Sequence, residues 1–223
     1  MNDSRRQSGQ TALATGVWSL WIDLVGGYRI MEGNHFTIGG PGGDDVADIA
    51  VRTAWRRRMA TLSRIGDDLW LTPEGSPRQT AEDSLARPIA TGSRLPIGTE
   101  EPSSREGQPN LRLQKPSPLS GTVVIALDPP HRFVWPIDAV LLVDKTVLIG
   151  REPTNHIHAP QMSDGGLVLV SRGGDWWIRQ VSGTTQRLIE GQRLEISDMV
   201  MTIRREAIST GRDQGISPGK EKR

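Results

Sequence analysis

Several groups of residues in this chain are of types that can do chemistry, and each meets a physical objection. Gly39-Gly40-Pro41-Gly42-Gly43 has the glycine density of a phosphate-binding loop. It lacks the Lys-Ser/Thr of such a loop, runs into Asp44-Asp45, and precedes no helix start that would add amides and a dipole. A flexible turn is the better reading. His156 and His158 stand two apart, which on a strand puts both imidazoles on one face at a spacing metals can use. With only four His in the chain and no acidic residue at matching spacing, a third ligand would have to come from elsewhere. Exposed polar strand residues are expected there, and no metal.

Trp55-Arg56-Arg57-Arg58 is a basic cluster with an aromatic, a combination that suits phosphate or nucleic-acid contact. Alternate strand side chains point oppositely, so the arginines make no single stripe, and a solvated loop flank is expected. Asp67-Asp68 and Glu100-Glu101 are paired carboxylates in turn or linker sequence, where charge is simply solvated. No Ser/His/Asp set occurs in a nucleophile-elbow context. Nothing in these patterns supports catalysis, and neither an enzyme nor a cofactor is expected.

Bulk properties narrow the class. The chain has 223 residues, enough for one large domain or two small ones. Its hydrophobic fraction of 35% suits folded modules flanked by solvated segments better than one dense core. Seven Trp against two Phe and one Tyr leave the large-ring packing mostly to tryptophan. The net charge of +1 calls for neither nucleic acid nor an anionic membrane as partner. The absence of Cys removes disulfides, thiolate metal sites and thiol nucleophiles, and is compatible with a reducing cytoplasm. The N-terminal MNDSRRQSGQTALATG holds no apolar run of signal-peptide length, and stretches such as Ala139–Val143 are far shorter than the ~20 residues of a spanning helix. A cytoplasmic protein is expected.

The elements that must position any site read as strands. Trp18, Leu20, Ile22 and Leu24 alternate with small or polar neighbours. His35–Ile38, Met59–Leu62, Leu69–Leu71, Leu111–Leu113 and Thr122–Leu127 are similarly brief, and Ala139–Val143, Thr146–Ile149, Leu167–Val170, Trp176–Ile178 and Val200–Ile203 continue the series. Gly, Pro, Asp or Asn bounds each one, and no dozen residues sustain a helical apolar period free of Pro or Gly. An all-β fold follows, with polar, disordered ends over 1–16 and 207–223 and a loose stretch at 98–110.

The pattern also repeats. FTIGGPGGDDVADIAV and RRMATLSRIGDDLWLTPEG in the first half face VLIGREPTNHIHAP and GGLVLVSRGGDWWIRQVSG in the second. Gly66-Asp67 in one hairpin stands opposite Gly174-Asp175 in the other, with Trp70 near Trp177. Two tandem antiparallel β-sandwich modules are expected, over 17–115 and 116–206.

With these motifs in place, the chain resembles the forkhead-associated (FHA) family, phosphothreonine-binding β-sandwich modules. The family pattern is Gly-Arg after an early strand, then Asn-x-Ile, then Ser-x-x-His leading a strand, an Asn-Gly later, and Gly-Asp before the last strand. The second copy matches with Ile149-Gly150-Arg151, Asn155, Ile157 and Ser163, while Gly166 stands in place of the His and Ser197-Asp198 in place of Gly-Asp. The first copy has Ile38-Gly39-Gly40 without the arginine, and Arg56 and Met59 in place of the serine and histidine.

The resemblance implies a protein partner carrying phosphothreonine, bound through Arg151, Ser163, Asn155 and Thr184. Arg151 would offer a planar fork to the dianion, Ser163 a hydroxyl, and the backbone around Ser182–Thr184 further N–H groups. The competing reading of Arg151 is a surface ion pair with Glu152 or Asp164. Two alternatives stand beside phosphopeptide binding. One is a structural or scaffold protein whose modules no longer read phosphate; the other is a small hydrolase or metal protein built on His156 and His158.

Overall fold

The computed structural model describes residues 16–42, 46–74, 87–95, 97, 108–163, 165–181 and 183–206. The polar ends 1–15 and 207–223, most of the 98–110 stretch, Asp164 and Ser182 lie outside these. Gly16, assigned by sequence to the polar N-terminus, opens the first strand. Among the described residues every regular element is a strand, and no helix is long and apolar enough to cross a membrane.

The first half contributes β1 (Gly16–Ile22), β2 (Gly26–Glu32), β3 (His35–Gly39), β4 (Ile49–Ala50), β5 (Ala60–Ile65), β6 (Asp68–Pro73), β7 (Arg87–Pro88) and β8 (Leu111–Gln114). The second contributes β9 (Val123–Leu127), β10 (Ala139–Val143), β11 (Thr146–Gly150), β12 (Ile157–His158), β13 (Gly166–Arg172), β14 (Asp175–Gln180), β15 (Thr185–Arg187), β16 (Arg193–Ile196) and β17 (Met199–Arg205). They form one seven-stranded sheet, β16-β17-β1-β2-β10-β9-β8, and two five-stranded sheets, β4-β3-β5-β6-β7 and β12-β11-β13-β14-β15. The five-stranded sheets share both order and sense: a short parallel pair at one edge, then antiparallel neighbours throughout.

Side-chain alternation decides how the sheets stack. On one face of the seven-stranded sheet, Leu20, Ile22, Ile30, Leu141 and Ile203 pack with Val147, Leu169, Trp176 and Ile178 of the C-terminal five-stranded sheet. On the other face, Met31, Val140, Leu142, Ile125 and Leu113 pack with Phe36, Ile38, Leu62 and Leu71 of the N-terminal one. The molecule is three layers with the long sheet in the middle. Its central strands β2 and β10, paired in parallel, are therefore covered on both sides. That is why Ala139–Val143 is an unbroken apolar run, all of it buried.

The division at Lys115/Pro116 does not divide the cores. The first hairpin, β1–β2, supplies Trp18, Leu20, Ile22, Tyr28 and Ile30 to the core of the C-terminal sheet, while Val123 and Ile125 of β9 and Val140 and Leu142 of β10 join the core of the N-terminal one.

Several local expectations need correction. Leu24 does not continue the strand of Trp18, Leu20 and Ile22; it sits in the β1–β2 turn with φ 62° and is 96% exposed. Strand β2 escapes the sequence pattern because Arg29 and Met31 are buried along with Tyr28 and Ile30, so no polar-apolar alternation shows. The polar β15 and the edge strand β16 escape it for want of an apolar face toward the core along most of their length.

The β5–β6 turn is Gly66-Asp67, but in the matching hairpin the turn is Gly173-Gly174. The structural counterpart of Asp175 is therefore Asp68, one residue from the sequence match, and Trp70 falls opposite Trp177. The repeated arginines are therefore not structural counterparts, Arg64 matching Ser171 and Arg172 matching Ile65. Arg64 donates to the carbonyls of Leu142 (2.8 Å) and Val143 (3.1 Å) at the end of β10, whereas Arg172 is exposed.

Candidate functional site

Register fixes which loops meet. Gly150, the end of β11, pairs with Gly166 at the start of β13 and with His158 of β12. Leu167 pairs with Gln180 at the end of β14, and Arg179 with Thr185 at the start of β15. The connections holding Arg151 and Asn155, Ser163, and Thr184 thus leave the C-terminal five-stranded sheet at the same end.

Arg151 is exposed and makes no hydrogen bond or ion pair with a described residue, Glu152 included. Asn155 braces the loop instead of facing outward: its Nδ2 and its backbone N–H both donate to the Glu152 carbonyl at 3.0 Å. A Cβ added at Gly150 would lie 2.8 Å from that Nδ2, so the glycine before Arg151 makes room for the brace. Thr184 is exposed, and its carbonyl accepts the Gln180 N–H at 2.9 Å. The neighbouring Gly183 N–H is already donated to the Gln180 carbonyl at 3.0 Å.

Ser163 is engaged. Its hydroxyl donates to the Asp198 carboxylate in the β16–β17 turn, and Gln180 Nε2 donates to Ser197 Oγ (3.1 Å) in the same turn. Ser197 and Asp198 both hold left-handed backbone, φ 48° and 59°, where Gly or Asn sits more easily. Sequence reading placed this turn but not its bond to Ser163, which joins positions 35 apart. The usable signal was Ser-Asp, two non-glycine residues, filling a tight turn between two short strands.

The two histidines do not share a face. His158 is exposed, but His156 is 5% exposed, its Nδ1 accepting the Leu148 N–H at 2.8 Å and its Nε2 buried with no partner. The expectation of two exposed strand imidazoles fails because β12 begins at Ile157 and His156 turns inward to satisfy a backbone donor. Among the described residues no group of three or more His, Asp or Glu is placed to hold a metal ion.

Burial pushes the His156 pKa down to about 4 from an ordinary 6.5. The folded state therefore binds fewer protons than the unfolded chain between those values. Its stabilising share is complete above pH 6.5 and is lost as pH falls toward 4. Urea midpoints should register a loss of about 3 kcal/mol between pH 7 and pH 4 from this residue. His156→Gln, which keeps an acceptor, should show a flatter profile; an equally steep one would assign the acid sensitivity elsewhere.

Gly39 and Gly40 are explained by close approach and not by phosphate. The Gly40 N–H donates to the Arg56 carbonyl at 2.8 Å, and the 55–57 backbone lies directly against both glycines. Arg56, Arg57 and Arg58 carry their side chains outward on this packed segment, which is a fixed flank and not a strand. Gly43, Asp44 and Asp45 lie outside the described residues.

Family models, curated proteins and solved structures were all compared with the chain, and none of them matches it.

Proposed function

We propose that the protein is a non-catalytic interaction module of FHA-like character that binds a phosphothreonine-bearing protein segment at the loop end of its C-terminal five-stranded sheet. The observation that carries this reading is Arg151: an exposed guanidinium on a loop that Asn155 braces through the Glu152 carbonyl, with no carboxylate partner among the described residues. A dianionic phosphate has the shape and charge for that fork, and Thr184 on the third connection comes from the same sheet end. The repeated order of the two five-stranded sheets supports the tandem-module reading.

A scaffold role without phosphate is the second reading, and one contact favours it. Asp198 holds the Ser163 hydroxyl and sets a negative charge beside the place a phosphate would take.

Titration of the full chain with phosphothreonine peptides separates the two. Charge-assisted hydrogen bonds are worth roughly 1.5–3 kcal/mol, so Arg151→Ala should weaken binding about tenfold or more. Equal binding by native protein and Arg151→Ala, or equal binding of unphosphorylated peptides, would reject the phosphate reading in favour of the scaffold.

A further inference from the structure

The β1–β2 and β16–β17 turns, with Gln161 of the β12–β13 connection, enclose an open hollow of about 430 Å³. Trp21, Leu24, Val200 and Asp198 line it. Trp18, Leu20 and Ile22 all turn to the core, while Trp21, out of phase with them, is 51% exposed. One side of its indole rests on the backbone of Gly27, where an added Cβ would lie 2.7 Å from the ring. Leu24 adds a fully presented apolar side chain at the lip.

Two further facts set this hollow apart. Leu24, Ser197 and Asp198 are the non-glycine residues with left-handed φ among the described residues, and all three belong to the two turns that border it. Charge is also unbalanced here. Asp23 is neutralised by Arg193 at 2.5 Å, but the Asp198 carboxylate has no cationic partner among the described residues and accepts only the Ser163 hydroxyl.

We propose that this hollow takes an arginine or lysine side chain presented by a protein partner. Such a side chain has an aliphatic stem for Leu24 and Val200, and a cationic head for the indole face and the Asp198 carboxylate. A phosphorylated or acidic group would be repelled by Asp198. A purely apolar group would strip water from that carboxylate without pairing it. The inference does not rest on phosphate recognition at Arg151.

Unphosphorylated nonapeptides of Ala and Gly with one central Arg, Lys, citrulline or Glu test it, by fluorescence polarisation on the full chain. Arg and Lys peptides should bind, and the citrulline and Glu peptides should bind at least about fivefold more weakly. Asp198→Asn keeps an acceptor for Ser163 and tolerates left-handed backbone, so it removes charge alone; it should weaken Arg-peptide binding about fivefold or more, as should Trp21→Ala. Asp68→Asn, on the β5–β6 hairpin, should leave binding unchanged. Equal affinity for Arg and citrulline, no effect of Asp198→Asn, an equal effect of Asp68→Asn, or no binding of the Arg peptide at all would each overturn the proposal.

Discussion

Gly39→Ala should be the most damaging single methyl among the described glycines. A Cβ at Gly39 would sit 2.0 Å from the Arg57 carbonyl oxygen and 2.5 Å from its carbon. Both are backbone atoms, so no rotamer change relieves the overlap. Either β3 must withdraw from the 55–58 segment or that segment must lift, and with it go the Gly40 N–H to Arg56 bond and the Met59 N–H to Ile38 bond, each 2.8 Å. Overpacking costs typically 1–3 kcal/mol, and a clash between two main chains belongs at or above the top of that range. At about 2–4 °C per kcal/mol for a chain of this size, the melting temperature should fall by about 6–12 °C.

Two glycine comparisons isolate the cause. Gly66→Ala meets no atom within 4 Å but must hold φ 61°, so it should cost only about 1–2 kcal/mol of backbone strain. Gly150→Ala meets the end of the Asn155 side chain, which can move. If Gly39→Ala melts no lower than Gly66→Ala, the packed 55–58 segment is not where the structure places it.

That segment illustrates what the sequence could and could not disclose. A run of glycines carries one message, that backbone passes close or turns sharply, and it does not say which of several partners approaches. The strands were legible wherever one face met a core and the other met solvent, as in Leu69 and Leu71 or Leu111 and Leu113. The doubly covered β10 was legible as an unbroken apolar run, but the doubly covered β2 was hidden by its glycines and Arg29, and β15 by having no buried face. The pairing of β2 with β10 was not legible at all. It joins residues such as Ile30 and Leu141 across about half the chain, and short apolar strands carry no label of their neighbour.

The candidate site divides in the same way. The strand ends beside Arg151 and Ser163 were readable in sequence, whereas Thr184 borders the hidden β15, and only the register brings all three to one sheet end. Whether a given hydroxyl is free depends on a residue from another sheet, and for Ser163 that residue is Asp198. Trp21 offered a signal that sequence reading passed over: an aromatic in the solvent-facing phase of an alternating strand.

Glu206→Ala is the second change expected to have a large effect, and its cause is wholly tertiary. Glu206 follows the last strand and meets Arg29 of β2, 177 positions earlier. It also accepts the Ser19 hydroxyl of β1 at 2.5 Å, while its own N–H donates to the Val17 carbonyl at 2.9 Å. The Arg29 guanidinium stacks over Trp135 from the β9–β10 connection, 3.6 Å from the ring centroid. Its side chain is only 9% exposed, and burial lowers its pKa against the opposing pull of Glu206 and Asp48.

The group thus joins the first hairpin, the last strand and the middle of the chain on the face of the long sheet toward the N-terminal core. Removing the carboxylate leaves a buried cation with an aromatic ring and no ion-paired partner, a loss that typically costs 3–5 kcal/mol. The melting temperature should drop by about 6 °C or more. Adding Arg29→Met to Glu206→Ala removes the stranded charge and keeps an apolar body for Trp135, so the double variant should recover a large part of that loss. A double variant no more stable than Glu206→Ala would mean that the penalty lies in lost packing, and that the charge of Arg29 is tolerated in its buried seat.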